Sequence, residues 1–94
     1  MKTYLIQRNF PGAGKLTMSD QISIATKSCE VIEMLGKDKI QWLYSYITDE
    51  NIWCVYKGIN EEILREHARR GGFPCDIIRE VNSIFSPATA MVTV

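Results

Sequence analysis

The alternation of apolar and polar residues along the chain predicts four strands and two helices. Stretches rich in aromatic and β-branched residues, in which apolar and polar positions alternate, are typical of strands. Apolar residues that recur every three or four positions are typical of helices that bury one face. In chain order, the predicted elements are a strand at 2–10, a helix at 18–35, strands at 40–48 and 52–57, a helix at 61–70 and a strand at about 77–85.

The first predicted helix is bracketed by residues that favour helix ends. Thr17 is a suitable N-cap, Asp20 follows three residues later, and Gly36 is a natural stop. The residues expected to face the sheet are Ile22, Ala25, Cys29, Ile32 and Leu35.

The second predicted helix begins after Asn60, which is a good N-cap, and ends at the Gly71-Gly72 pair. Acidic residues at its start and arginines at its end complement the helix dipole. Two ion pairs at a spacing of four residues are expected, Glu61 with Arg65 and Glu66 with Arg70. The predicted inward stripe consists of Ile63, Leu64, His67 and Ala68.

The resulting order, β-α-β-β-α-β, predicts an α+β domain of the ferredoxin-like class. This class has a four-stranded antiparallel sheet with two helices packed on one face. The length of 94 residues supports a single domain over 1–94. The small, apolar tail at about 88–94 either frays or docks on a partner.

Both faces of the predicted hairpin are apolar, although the helices cover only one of them. Alternation places Trp42, Tyr44 and Tyr46 on one side, together with Ile52, Cys54 and Tyr56 of the next strand, and it places Leu43, Ile47, Trp53 and Val55 on the other. The uncovered face must be buried elsewhere, and the economical solution is a homodimer that joins the two open sheet faces.

Charge and composition narrow the class of partner. Eleven basic residues balance eleven acidic ones, so the chain lacks the positive footprint that non-specific nucleic-acid binding requires. No apolar run approaches the roughly 18 residues that a membrane helix needs, and the N-terminus does not resemble a signal peptide. Three widely spaced cysteines suit neither a disulfide framework nor a zinc site. We therefore expect a cytoplasmic protein with no nucleic-acid or membrane partner.

Most candidate ligand-binding side chains are expected to line a pocket between the sheet and the helices. Its expected lining is Tyr44, Tyr46, Cys54, Tyr56 and His67, the only histidine. Apolar walls with a few polar groups are usual for small-ligand sites, although the same residues also suit an ordinary core. Arg8, near the end of the first strand, either pairs with an acid such as Glu80 or presents its guanidinium to an anion.

Four segments together resemble one known family. They are Tyr4 to Gly12, Ile40-Gln41-Trp42 with Ser45-Tyr46, Cys54-Val55-Tyr56, and Asn60 to Pro74 with its His-Ala-Arg and Gly-Phe-Pro motifs. The family consists of small ferredoxin-like bacterial proteins of unknown function and is typified by a cytosolic, dimeric nickel-binding protein.

The resemblance implies a cytoplasmic dimer and, in some members, nickel binding. His67 matches the helix histidine of the family, and Cys54 matches its common strand cysteine. The nickel-binding type is histidine-rich in the first strand, whereas this chain has Gln7-Arg8-Asn9 there.

Three functions remain open at this point. The first is a homodimeric small-ligand or metal-binding module, in which His67 would hold a divalent transition metal such as nickel. The second is a dimeric α+β barrel enzyme, such as a cofactor-independent monooxygenase or isomerase, with His67 as general base beside Tyr44 and Tyr46. The third is a pure interaction subunit. One histidine without a clear acid–base pair favours a binding module over an enzyme.

Overall fold

The computed structural model describes residues 1–93 and contains each predicted helix and strand. Short 3₁₀ turns at Ala13–Lys15 and Pro87–Met91 complete the regular structure. The elements are β1 (Lys2–Asn9), α1 (Met18–Leu35), β2 (Ile40–Ile47), β3 (Asn51–Gly58), α2 (Glu61–Gly71) and β4 (Ile77–Val81). The β-α-β-β-α-β order is therefore confirmed.

The four strands form one antiparallel sheet in the order β2-β3-β1-β4. β1 lies inside the sheet and pairs with β3 along its whole length, from Lys2 opposite Gly58 to Asn9 opposite Asn51. Its other edge pairs with β4, and β2 pairs with β3. This is the predicted ferredoxin-like arrangement, with β2 and β4 at the edges.

Both helices begin at the predicted caps. The Thr17 hydroxyl accepts a hydrogen bond from the Asp20 amide at 3.1 Å, and the Asp20 carboxylate accepts one from the Thr17 amide at 2.9 Å. The bond from the Thr17 amide stabilises the ionised carboxylate and, together with the Thr17 side chain, holds the pKa of Asp20 below its usual value. In α2, the Asn60 side chain accepts from the Ile63 amide at 3.0 Å. Gly72 ends this helix with a φ of 71°, which a glycine adopts without strain.

The buried face of α2 is as predicted, whereas that of α1 is rotated. Leu64, His67 and Ala68 are buried in α2. In α1 the buried residues are Ser28, Val31 and Ile32, while Ile22 is 59% exposed and Cys29 is exposed. The predicted stripe was wrong at Ile22 and Cys29 because a polar residue, Ser28, occupies the inward face.

Tyr56 of β3 shows that both helices pack on the same face of the sheet. Its hydroxyl lies 3.1 Å from Ser28 Oγ of α1, and its ring centroid lies 5.2 Å from that of His67 in α2. The opposite face has no helix against it and is called the open face below.

A β-bulge in β2 changes which residues reach the open face. Trp42 is opposite Tyr56, but the register then shifts, so that Tyr44 is opposite Val55 and Ser45 is opposite Cys54. Because residues opposite each other share a face, Tyr44 and Tyr46 lie on the open face, whereas Trp42, Ser45 and Ile47 lie on the helix side. The prediction that Trp42 shares one side of the sheet with Tyr44 and Tyr46 was therefore wrong, whereas the predicted separation of the two tyrosines from Ile47 is confirmed.

The last strand ends at Val81 rather than at Phe85. Val81 is opposite Thr3, and β1 begins at Lys2, so little partner strand remains for further pairing. Residues 82–93, called the C-terminal arm below, are all exposed and carry no charged side chain. Its largest apolar residues, Ile84, Phe85, Met91 and Val92, are 72%, 83%, 83% and 64% exposed. Val94, the last residue of the predicted tail, lies outside the described residues.

The dimensions of the chain reflect the arm. The radius of gyration is 14.5 Å, against about 12 Å for a compact domain of this length. No helix within residues 1–93 is both long enough and apolar enough to cross a bilayer.

Candidate functional site

A cavity of about 220 Å³ lies between α1, the sheet and the segment that follows α2. Its apolar walls are Phe10, Ile24, Ala25, Trp42, Ile47, Ile52, Phe73 and Pro74. Its polar positions are Arg8, Gln21, Ser28, Ser45, Cys54 and Tyr56. Arg8 is the one residue with a formal charge among the described residues that line it.

Arg8 is nearly inaccessible, with 4% of its surface exposed. Its Nη1 donates a hydrogen bond to the Pro74 carbonyl oxygen at 2.6 Å, and its Nε donates to Cys54 Sγ at 3.4 Å. Its Nη2 is buried and has no hydrogen-bond partner among residues 1–93. The guanidinium is thus held firmly at two of its nitrogens and left unsatisfied at the third.

No carboxylate in the described part of the chain balances this charge. The predicted alternative of an Arg8–Glu80 pair is not formed, because Glu80 is opposite Tyr4, four residues and roughly 13 Å along β1 from Arg8. Glu80 pairs with Lys2 at 3.3 Å instead, and no ion pair between described residues includes Arg8.

Aromatic rings and neighbouring groups keep the guanidinium protonated. The Arg8 Cζ atom lies 5.8 Å from the ring centroid of Tyr56 and 5.4 Å from that of Phe73, within the range of cation–π attraction. Burial lowers the pKa of Arg8, but Cys54 and Tyr56 beside it raise the pKa more, so the net shift is upward. The cavity wall therefore carries one permanent positive charge.

A hydrogen-bonded chain runs from the cavity wall into the core. The Tyr56 hydroxyl lies 3.1 Å from Ser28 Oγ, which lies 3.0 Å from His67 Nε2. His67 is completely buried, and its ring stacks on Phe73 with the centroids 5.5 Å apart. No described residue forms a hydrogen bond with its Nδ1. Ser28 is therefore the link between His67 and the cavity.

The hydrogen-bonded side chains of Tyr56, Ser28 and His67 are uncharged at neutral pH. The pKa of His67 is lowered to about 4, chiefly by burial and secondarily by the Arg8 charge, against the smaller opposite effect of the Ser28 backbone. Burial also raises the pKa of Tyr56 to about 12, against the smaller opposite effect of its bond to Ser28. Among the described residues of the cavity wall and of the hydrogen-bonded groups behind it, Arg8 is consequently the one with a formal charge at neutral pH.

The structure brings together four of the six sequence-predicted ligand-binding residues. Arg8, Cys54 and Tyr56 line the cavity, and His67 lies directly behind Tyr56 and Ser28. Tyr44 and Tyr46 do not join them because the bulge in β2 places both on the open face, where their rings meet edge to face at 5.4 Å.

Sequence reasoning missed several residues of the cavity wall. Ser28 is the most consequential of them. Its position, seven residues after Gln21 on α1, is a helical-spacing signal, but a search for apolar stripes passes over both residues because they are polar. Ser45 and Phe73 of the wall were also not identified as site residues.

The donor groups around His67 do not fit a divalent metal. Among residues 1–93 there is no cluster of three or more histidine, cysteine, aspartate or glutamate side chains that could hold an ion. The sulfur of Cys54 accepts from Arg8, whose positive charge opposes a second cation. The assignment of a metal to His67 stays a prediction from the sequence.

Comparison with known proteins identifies the family. A family model described as "Nickel responsive protein SCO4226-like" matches residues 4–81. The chain belongs to this SCO4226-like family. The resemblance inferred from sequence motifs is thereby confirmed.

A solved structure supports the fold assignment. The crystal structure of SCO4226 from Streptomyces coelicolor A3(2) matches with a TM-score of 0.74, covering 88% of this chain and 99% of that chain at 15% identity. No curated protein shows significant similarity to the chain. The segment matched by the SCO4226-like model contains every residue of the cavity wall and ends where β4 ends, so the C-terminal arm lies beyond it.

Proposed function

We propose that this SCO4226-like protein is a homodimer that binds a small ligand in the cavity between the sheet and α1. The observation that carries the proposal is a preformed cavity with mainly apolar walls and a few polar groups that converge on it, among them Arg8, Ser28 and Tyr56. Small-molecule sites are generally built in this way.

The volume limits the size of the ligand. About 220 Å³ is below the roughly 300–1,000 Å³ of pockets for drug-sized molecules and equals the share of about seven water molecules in the liquid. The cavity therefore suits a compact molecule with a single ring or a short branched chain.

The ligand is best sought in protein purified without a metal-affinity tag. Native mass spectrometry of such protein reports the dimer mass together with any retained molecule or metal. Ala25→Leu would fill the cavity and should abolish binding, whereas Ser23→Leu adds the same side chain to an exposed position of α1 and should not. The proposal fails if no molecule is retained and no small aromatic or aliphatic probe binds the wild-type protein.

The dimer is supported by two uncovered apolar surfaces. On the open face, Tyr44 is 43% exposed, Tyr46 is 62% exposed and Ile77 is 38% exposed. The C-terminal arm adds four more exposed large apolar residues. A zero net charge offers no long-range repulsion between copies. Sedimentation equilibrium at micromolar concentration should give twice the mass of one chain, and a mass of one chain would exclude the dimer.

Nickel binding is tested with the same protein, purified without a metal-affinity tag. The description of the family as nickel responsive is what supports a metal, while the donor groups near His67 do not. Equilibrium dialysis that leaves nickel bound to wild-type protein but not to a His67→Gln variant would replace the small-ligand proposal with a metal site. Cytoplasmic location and the lack of nucleic-acid or membrane partners stay predictions from the sequence.

An enzyme of the dimeric α+β barrel kind, such as a cofactor-independent monooxygenase or isomerase, is the second candidate. The observation that favours it is the Ser28 hydroxyl, which connects unprotonated His67 to the cavity and offers a path for a proton. A retained ligand that the wild-type protein converts, and that His67→Gln binds without converting, would establish this alternative. Unchanged ligand after prolonged incubation would exclude it for that ligand.

A further inference from the structure

We propose that the ligand of the cavity is a small organic carboxylate whose anionic group is bound by Arg8 and whose apolar body fills the rest of the space. This inference rests on the proposed function, because it names the chemical class of the ligand for that same site.

The charge of Arg8 is the first argument. A buried guanidinium is ordinarily paired with a carboxylate, since an unpaired charge is strongly disfavoured away from water. Here the guanidinium has a carbonyl, a weakly accepting thiol and two aromatic faces as neighbours, but no anionic side chain from residues 1–93. The missing counter-charge is located at the wall of a cavity, where a ligand can supply it.

The free hydrogen-bonding capacity of the wall is the second argument. Nη2 of Arg8 is buried without an acceptor from the part of the chain that the structure describes. A carboxylate beside the guanidinium offers two oxygens, and such pairs form strong, charge-assisted hydrogen bonds. Ser45 adds a hydroxyl to the wall of the same cavity. Its oxygen accepts from Trp42 Nε1 at 2.9 Å, which leaves its proton to be donated to a ligand.

The composition of the remaining walls selects a carboxylate with an apolar body over an inorganic anion. One arginine and a few hydroxyls would leave most oxygens of a phosphate or sulfate unpaired among apolar side chains. A carboxylate places its two oxygens at Arg8 and its ring or branched chain against residues such as Ile24, Ile47 and Phe73. The stacked pair of Trp42 and Tyr56, with centroids 6.3 Å apart, favours a flat body.

The experiment uses benzoate as the probe and benzyl alcohol as its uncharged counterpart, with the full-length wild-type protein. Binding is measured by calorimetry and by the fluorescence of Trp42, which lines the cavity; Trp53 points to the open face and is removed as Trp53→Phe for a single-tryptophan signal. We expect benzoate to bind at least ten times more tightly than benzyl alcohol, and inorganic phosphate not to displace it.

Variants assign the preference to Arg8. Arg8→Met should remove the tenfold preference for benzoate, and Arg8→Lys, which keeps the charge without the planar fork, should retain part of it. Arg69→Met, an exposed arginine of α2, is the control and should leave the preference unchanged. The comparison of the two probes on wild-type protein needs no variant, so a folding defect in Arg8→Met does not prevent the test.

The outcomes separate the two proposals. Equal affinity for benzoate and benzyl alcohol would overturn the carboxylate assignment while supporting a small-ligand cavity. Displacement of benzoate by phosphate would overturn it in favour of an inorganic anion. If neither probe nor any other small aromatic or aliphatic compound binds at millimolar concentration, both the carboxylate assignment and the proposed function fail.

Discussion

His67 should make the stability of the protein depend on pH in a way that a single residue can be shown to cause. It is the only histidine of the chain, so no other side chain with an ordinary pKa near 6.5 is present. In the folded protein burial lowers its pKa to about 4, with Arg8 of β1 acting in the same direction. The groups that face it from the other elements, Tyr56 of β3 and Ser28 of α1, are uncharged near neutral pH.

Stability should fall in acid, because the pKa of His67 is lower in the folded protein than in the unfolded chain. The unfolded chain binds a proton at His67 as the pH falls through about 6.5, whereas the folded protein does so only near pH 4. Acid therefore favours the unfolded state, and stability is lost progressively over this window. A difference of about 2.5 pKa units amounts to roughly 3.4 kcal/mol in total, of which about 1.4 kcal/mol is lost by pH 5.5.

Urea denaturation at fixed protein concentration measures this loss. With an m-value of about 1–3 kcal/mol/M, the midpoint should fall by roughly 0.5–1.4 M between pH 8 and pH 5.5. His67→Gln, whose amide can still bond to Ser28, should be nearly insensitive to pH over that range. The reasoning is refuted if the ring proton of His67 titrates near pH 6.5 in the NMR spectrum of the folded protein, or if His67→Gln keeps the full pH dependence.

Three further predictions concern the hydrogen-bonded chain and the uncovered surfaces. Ser28→Ala should lower the free energy of unfolding by about 2 kcal/mol, measured by urea denaturation, because it leaves both the Tyr56 hydroxyl and His67 Nε2 buried without a partner; an unchanged midpoint would contradict the buried geometry. Tyr46→Lys should weaken the proposed dimer at least tenfold in sedimentation experiments without changing benzoate binding, since Tyr46 lies on the open face; a loss of ligand with an intact dimer would contradict that separation. Removal of the C-terminal arm should leave the thermal midpoint of the domain within a few degrees of the wild type when both are monomeric, because all of its residues are exposed, and a large drop would show that the arm supports the fold.

The parts of the fold that follow from local signals were predictable from the sequence. The Thr17 and Asn60 caps depend on side chains that bond to amides three residues later, so the sequence alone contains both partners. The inward stripe of α2 was also clear, because its outer face carries charged residues that form the expected pairs, such as Glu61 with Arg65 at 3.1 Å.

The parts that depend on distant partners were not predictable. Ser28 is buried because its hydroxyl meets Tyr56 and His67, which are 28 and 39 residues away. The bulge left no signature in β2, since apolar residues occupy both alternating sets of positions and either side of the strand is acceptable after a shift. The isolation of Arg8 likewise depends on the β1–β4 register, which no local pattern specifies.

The bulge at Leu43 means that β2 contains one residue more than its ladder with β3 uses. Because Trp42 and Tyr44 are opposite consecutive residues of β3, loss of Leu43 would leave a regular ladder, with Tyr44 and Tyr46 still on the open face. The edge strand can therefore lose a residue at this point without altering which side chains line the cavity and which lie on the open face. This gives the fold a place at which the length of the chain changes independently of the chemistry of its two sheet faces.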